Sequence, residues 1–505
     1  MTNNAPALPE AARQHLERGK AHHAAKNLAA ALQEYQAASR LAPDSEPVLF
    51  ALGALAMDAH DWTAAEKIQR HLEILFPGRH RARLALAIFN QQRHADALPV
   101  LEQLAAEGRM DLNCALAYAV SLERCGQPER AVQILQDIYR GSNSESAAVL
   151  LASALLRMGR RTDLDEWLPR LLQDHPHNTQ LLAGRSEHAF LSGDYATGFD
   201  YMHYRWAVAM EPPKSSLLAC PAWDGQRFDG TLLVAAEQGL GDEILSSSVF
   251  EELVRIGQPS LIDCEPRLLP LLRRSFPALE FCDRKSDMLV QRSREPATRK
   301  IDAMELGRFF RRDIARMPER NAWLVADPQR TAEWRSWLAE HFPDRRAVGV
   351  SWRSTRHLIG DSKSIPVTDL RELLGHPGFA CINLQYGDTG TDRAQLQATG
   401  LSLHQPPGLD LTGDIDGLCA LIAALDAVVT CSNTTAHLAG ALGIPTRVML
   451  PGGRYVLWYW GHDGETTPWY RSLRLFRGPP RKSWPALAAD VVTDLAALPC
   501  RSRHA

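Results

Sequence analysis

The chain has 505 residues, enough for two or three domains with cores of their own. Its 45% hydrophobic and 23% charged residues are ordinary for a globular protein, and a formal net charge of −3 without a basic stripe argues against nucleic acid as the main partner. No stretch approaches the roughly eighteen uninterrupted apolar residues of a membrane span, and the N-terminus lacks the charged-then-apolar pattern of a secretory signal.

Nine scattered cysteines, with no C-x-x-C pair, read as reduced thiols, so a cytoplasmic protein is expected.

The N-terminal part repeats itself. Gly19 and Gly53 lie 34 residues apart, as do Ala31 and Ala65, and Pro43 and Pro77. The alanine recurs at Ala97 and Ala131, after steps of 32 and 34 residues; Leu164 and Gly198 take its place in weaker fifth and sixth copies, and Pro176 closes the fifth. Such a period predicts a stack of helix pairs, in which small residues let two helices approach and proline ends the second. In period, small-residue slots and Tyr35 it resembles the tetratricopeptide repeat. Residues 10–210 are therefore expected to form a repeat superhelix with a capping helix. Its groove would bind a peptide or protein, although a spacer or oligomerisation element would leave the same trace.

The stretch Ser192–Trp206, SGDYATGFDYMHYRW, has helical spacing and five aromatic residues. It predicts a cap that shields the end of the array and packs on the next domain. Met210-Glu211-Pro212-Pro213 breaks the helix, which places a linker at residues 211–228.

From Thr231 short β-rich runs alternate with helical stretches, the mark of βα units around parallel sheets. Strands are expected at Leu232–Ala236, Ser260–Cys264, Leu279–Cys282, Ala347–Trp352, Ala380–Leu384, Ala427–Thr430 and Thr446–Leu450. Helices are expected at Pro266–Ser275, Glu305–Met317, Pro328–His341 and Trp484–Leu498. The fold class is thus α plus α/β: a repeat superhelix followed by two Rossmann-like halves, residues 229–340 and 341–500, of the kind that hold a nucleotide-bearing ligand at strand carboxyl ends.

Three places carry candidate chemistry. After the first strand, Glu237-Gln238-Gly239-Leu240-Gly241-Asp242 forms a strand–turn–helix junction. Ile244 stands where a dinucleotide fingerprint needs its third glycine, and no Gly-Lys-Ser/Thr follows, so neither that motif nor a P-loop is present. Read alone, the turn is as well a connector as a site. Past the second half's first strand, Arg353-Ser354-Thr355-Arg356-His357 and Lys363 offer cations to a pyrophosphate, or simply make a solvated basic loop. Finally, Ser432-Asn433-Thr434-Thr435 offers hydroxyls and a cap beside the N–H groups of a helix start, which suits an anion and equally suits an ordinary cap. His437, one turn further, is a buried interface histidine or a ligand contact. The loop holding Trp458, Trp460, His462, Trp469 and Tyr470 walls a sugar or packs the surface between the halves.

In their order, SGDYATGFDYMHYRW, PAWDG, LLVAAEQGLGDEI, VGVSWRS…KSIP, INLQYGD, DLTGDIDGLCALIAALDAVVTCSNTTAHLAGALGIP and PWYRSLRLF resemble a family of bacterial proteins. That family joins tetratricopeptide repeats to a glycosyltransferase domain of the B fold. The domain is related to the lipopolysaccharide heptosyltransferases and, more distantly, to the protein O-GlcNAc transferases. The resemblance covers most of residues 190–480.

It implies inverting, metal-independent transfer of a sugar from a nucleotide-activated donor, with no cofactor beyond that co-substrate. Heptosyltransferases place a carboxylate directly after the glycine of the first turn as general base, and Asp242 holds that position. A lysine after the second half's first strand meets the donor phosphates, where Lys363 stands. The helix start at Asn433–Thr435 would hold the departing charge, with Arg353, Ser432, Thr434 and His437 completing the donor side. Glu237, Gln238, Gly239 and Gly241 would form the acceptor-side loop. Two departures matter. Ser432 replaces the usual Asp, which changes the sugar or phosphate group tolerated, and Glu237 remains a second candidate base.

The resemblance leads to a cytoplasmic protein glycosyltransferase whose repeats capture a protein acceptor for modification at Ser or Thr. Some relatives of this layout glycosylate flagellin before export, which extends the expectation to flagellin as acceptor and a nucleotide-activated nonulosonic acid as donor. Transfer to a lipid-linked or lipopolysaccharide glycan is the alternative within enzymes. A scaffold with an inactive transferase domain is the alternative outside them.

Overall fold

Small residues at the repeat slots close the N-terminal helices into pairs. A side chain at Gly19 would begin 2.4 Å from the Tyr35 ring and one at Gly53 would begin 2.4 Å from the Gln69 amide, so only glycine permits those approaches. Ala31, Ala65, Ala97 and Ala131 are fully buried in the facing helices. The computed structural model describes residues 8–209, 212–237, 239–354, 360–401, 403–451, 456–478 and 482–498. Of the positions singled out above, Met210, Glu211, Gln238, Thr355, Arg356 and His357 lie outside the described residues.

Among the described residues six helical pairs follow one another, from Glu10–Ala24 with Leu28–Leu41 to Thr179–Ser192 with Tyr195–Tyr201. The turn inside a pair recurs with the repeat: Lys26, His60, Gln92, Gly126 and Gly193 all take positive φ. Asn27, Asp61 and Asp194 then cap the second helix, their side chains accepting the N–H of Ala30, Ala64 and Thr197. The chain divides into two compact units, residues 1–158 with 169–175, and residues 159–168 with 176–505. The division falls inside the fifth pair and upstream of residues 211–228, so the sixth pair belongs to the α/β unit.

In the first unit, first helices of successive pairs line a cavity of about 810 Å³. Its floor includes Met57, Leu86, Phe89, Leu116, Val120 and Leu150, with the amides of Asn90 and Asn113 among its walls.

The second unit holds two wholly parallel sheets. The first runs β3-β2-β1-β4, with β1 Thr231–Ala235, β2 Ser260–Cys264, β3 Glu280–Asp283 and β4 Thr298–Asp302. The second runs β6-β5-β7-β8-β9, with β5 Arg346–Ser351, β6 Phe379–Asn383, β7 Ala427–Cys431, β8 Thr446–Leu450 and β9 Leu473–Arg477. Both sheets are covered on both faces, as a parallel sheet requires. Leu232 and Val234 of β1 join the large core, while Leu233 and Ala235 pack with Leu218, Cys220 and Leu261 on the other side. In β5, Val348 and Val350 face the C-terminal helix Trp484–Ala496.

The bridge packs on the core of the second unit. Phe190, Tyr195, Phe199 and Met202 are buried in the large core, and Phe190 and Tyr195 meet Trp458 and Trp469 at centroid distances of 4.4 and 5.8 Å. Two features depart from the sequence reading. The helix expected over Glu305–Met317 is broken into Ala303–Leu306, Gly307–Phe310 and Ile314–Arg316. There Arg311 turns inward to pair with Glu252 and donate to the Ser248 carbonyl, and the Asp313 side chain accepts the Ala315 N–H, which competes with helix continuation. Strands β4 and β9 were also unexpected; both are sheet edges, where Arg299, Lys300, Arg474 and Arg477 interrupt the apolar pattern.

Candidate functional site

The first half presents its candidates where β1 ends. The helix Leu240–Ser246 begins two residues earlier than the sequence indicated: Gly239 is its cap, Gly241 is already helical, and Asp242 is the third residue in. Asp242 is buried, and its Oδ2 accepts the Gly239 N–H at 3.2 Å. Gly241 is therefore glycine for a reason other than a turn. A methyl group on its α-carbon would stand 2.8 Å from His437 Cδ2, so the imidazole of the second half occupies that space.

The acidic residues flanking Asp242 are anchors. Glu237 Oε1 accepts the Met304 N–H at 2.9 Å, and Oε2 meets the Arg205 guanidinium at 2.5 and 3.2 Å. Burial pushes its carboxyl up to about 7 against the pull of Arg205. Glu243 is likewise raised to about 7 by burial, although it accepts the Glu265 N–H at 2.8 Å and pairs with Arg284 at 2.6 Å. Both oxygens of each carboxylate are committed to the protein's own donors. Gln238, the remaining member of the expected loop, lies outside the described residues.

In the second half the helix Thr434–Ala441 follows β7. Asn433 caps it, with Oδ1 accepting the Thr435 N–H at 3.0 Å and the Thr430 hydroxyl at 2.9 Å. Its Nδ2 donates to Ser351 Oγ at 2.7 Å and to the Arg353 carbonyl at 3.2 Å, so the side chain joins the ends of β5 and β7. Ser432 Oγ accepts the Trp460 indole N–H at 2.9 Å. The Arg353 guanidinium turns to Asp392, 3.3 Å away, and to the Asp388 carbonyl. Asn433, Ser432 and Arg353 thus hold the scaffold of this site. Thr435 is buried and Thr434 is half-buried at the first helical position. Lys363, in the helix Gly360–Lys363, is buried close enough for its charge to act on Cys431 and His437.

His437 is the meeting point. Burial, reinforced by the Lys363 charge, lowers its pKa to about 3, so the ring is neutral at physiological pH. Its Nδ1 lies 2.6 Å from the Tyr470 hydroxyl, whose own pKa is raised well above the ordinary value by burial and by the charges of Tyr459 and Asp242. The structure thus brings Gly241, Asp242, Lys363, His437 and Tyr470 together, with Thr434 and Thr435 at the same helix start. The aromatic loop is mostly core: Trp460 and Tyr470 are 1% exposed, and Tyr470 stacks on Trp323 at 5.2 Å.

Sequence reading passed over Arg205 and Gln385, and named Tyr470 only as a member of the aromatic loop. Gln385 Oε1 accepts the N–H groups of Trp352 at 2.9 Å and Arg353 at 2.7 Å, and the Ser351 hydroxyl at 3.1 Å, fixing the backbone where β5 ends. The signals were present within INLQYGD, PWYRSLRLF and the aromatic bridge, but a motif does not reveal which of its members point inward.

No family model matches the chain. It is similar to protein FlbA of Caulobacter vibrioides, 29% identical over 497 residues that span 93% of this chain and 81% of that protein. Among solved structures it is similar to E. coli ADP-heptose LPS heptosyltransferase II, 14% identical, covering 53% of this chain and 98% of that one with a TM-score of 0.36. It is also similar to MamA of Desulfovibrio magneticus RS-1, 15% identical, covering 34% of this chain and 98% of that one with a TM-score of 0.32. Both scores are too low to carry an argument about this chain.

Proposed function

We propose that the chain is a glycosyltransferase that moves a sugar from a nucleotide-activated donor to a hydroxyl of a protein acceptor, with inversion and without a metal ion. The observation that carries this reading is the convergence of Asp242, from the end of the first sheet, on His437, Lys363 and the Thr434–Ala441 helix start, from the end of the second. That juxtaposition suits a displacement. The Asp242 carboxylate accepts the proton of the acceptor hydroxyl while its oxygen bonds to the anomeric carbon. The bond from that carbon to the phosphate oxygen breaks, and the departing charge falls to Lys363 and the N–H groups at the helix start. With both oxygens of Glu237 engaged, Asp242 is the better suited of the two candidate bases.

The repeat cavity supports a protein acceptor. Its apolar floor, with amides at the walls, suits the side chains and backbone of a polypeptide segment. By resemblance of layout that acceptor is flagellin. Intact-mass measurement of candidate acceptors from cells with and without the gene tests the reading. Loss of a sugar-sized mass supports it, and unchanged masses for every candidate sink it. A thermal-shift screen with UDP, GDP, ADP, CMP and dTDP identifies the donor's nucleotide, since a ligand at about a hundredfold excess over Kd stabilises the native state by about 2.7 kcal/mol.

A further inference from the structure

We propose that Arg205 is a positioning residue of the transfer site: by gripping Glu237 it holds the end of β1 from which the Asp242 helix starts. The inference rests on the function proposed above. Arg205 lies in the short turn Met202–Ala207, immediately after the last helical pair. Its Nε and Nη2 both reach Glu237 Oε2, and its Nη1 reaches Glu305 Oε1 at 3.0 Å and the Met202 carbonyl at 2.9 Å. Its guanidinium also lies 4.6 Å from the Trp206 ring centroid. The fork is planar and engaged at every nitrogen, so it fixes direction as well as charge.

Glu237 is only 2% exposed at its side chain, and its second oxygen is taken by the Met304 N–H. The preceding Ala236 N–H donates to Asp263, which pairs with Lys214 at 2.5 Å. Downstream of Asp242, Glu243 is held by Arg284 and the Glu265 N–H. The Asp242 backbone thus runs between two buried anchors. The upstream one is closed by a residue from the bridge, outside the sheet and its helices. A displacement of about 1 Å at a reacting group costs on the order of a hundredfold in rate, so this grip has catalytic consequences without touching substrate.

Hydrogen–deuterium exchange by mass spectrometry on the full chain tests it. Arg205→Met should speed exchange in the peptide 236–247 at least tenfold. Arg205→Lys keeps the charge without the fork and should give a smaller rise in the same peptide. Arg312→Met is the control, because Arg312 ties the same bridge to the first half through Asp200 at 2.9 Å without reaching Glu237; it should leave that peptide unchanged. Adding Glu237→Gln to Arg205→Met should restore the melting temperature but not the protection of 236–247, because no donor replaces the fork. Unchanged exchange in both Arg205 variants, an equal rise across both sheets, or full recovery of protection in the double variant would overturn the proposal. Acceptor mass in cells gives the second arm: Arg205→Met should lower modification about tenfold or more, with Arg205→Lys retaining part of it. A wild-type chain that modifies no acceptor counts against the transferase reading, while exchange alone still decides whether Arg205 holds this stretch.

Discussion

Gly241 and His437 touch across the two halves: a methyl group at Gly241 would stand 2.8 Å from His437 Cδ2 and 3.1 Å from Nε2. The ring has no easy retreat, because Nδ1 is bonded to Tyr470 at 2.6 Å and the residue is only 2% exposed. Gly241→Ala should therefore force apart the two elements that carry the site. We expect a loss of about 1–3 kcal/mol in urea unfolding, typical of overpacking, together with loss of acceptor modification. A variant as stable and active as wild type would show that the contact gives way freely.

His437 sets an acid limit on stability. Its folded pKa, near 3, lies below the value of about 6.5 in an unfolded chain. The unfolded state therefore binds more protons between those values, and stability is lost as pH falls through that window. His437→Gln removes this titration. Between pH 7 and pH 4.5 the wild type should lose about 2 kcal/mol more than the variant in unfolding free energy. Parallel losses would place a charged or exposed histidine at this position.

Glu237 works in the opposite sense. Its folded pKa, about 7, lies above the usual value for Glu of 4.5. The folded state holds the proton more tightly, so this group's contribution is full below the unfolded value and is lost as pH rises through the folded one. Glu237→Gln should gain in relative stability as pH rises from 4.5 through 7, with the difference level above that. Denaturant midpoints at four or five pH values would reveal the trend. A relative gain toward low pH would mean that Arg205 outweighs burial.

Gln385 is a structural prediction of the same kind. Gln385→Leu would leave the buried N–H of Trp352 and its neighbour at Arg353 without their shared acceptor. Each unsatisfied group costs about 1–3 kcal/mol, so we expect a drop of that order or more in urea unfolding. Gln385→Glu keeps the acceptor and should be the milder change. Equal effects would assign the residue to packing alone.

The central strands were legible because burial on both faces leaves short apolar runs, as in residues 232–235 and 427–429. Ser260–Cys264 and Thr446–Leu450 also stand where expected although Asp263 and Arg447 interrupt them, as does the helix Pro328–His341. Of the edge strands, β3 and β6 were legible but β4 and β9 were not, since an edge tolerates Lys300 or Arg474. The repeat was legible because Gly19, Gly53 and the alanine slot answer to close packing that only small residues permit. The site was legible as motifs but not as roles. Glu237 finds Arg205 and Met304 at 32 and 67 residues' separation, Ser432 finds Trp460 at 28, and Asn433 finds Ser351 at 82. Partners at such distances do not show in local spacing, and so the part that Arg353 and Asn433 play in building the seat was not legible beside their expected ligand contacts.

The central claim is that Asp242 takes the acceptor proton, and one substitution tests it. Asp242→Asn preserves shape and keeps an oxygen for the Gly239 N–H. Cells carrying this variant in place of the wild-type gene should yield an acceptor lighter by the mass of its sugars in intact-mass spectrometry, while the purified variant keeps its nucleotide-dependent thermal shift. An acceptor that retains its full sugar mass in the Asp242→Asn cells would contradict the account.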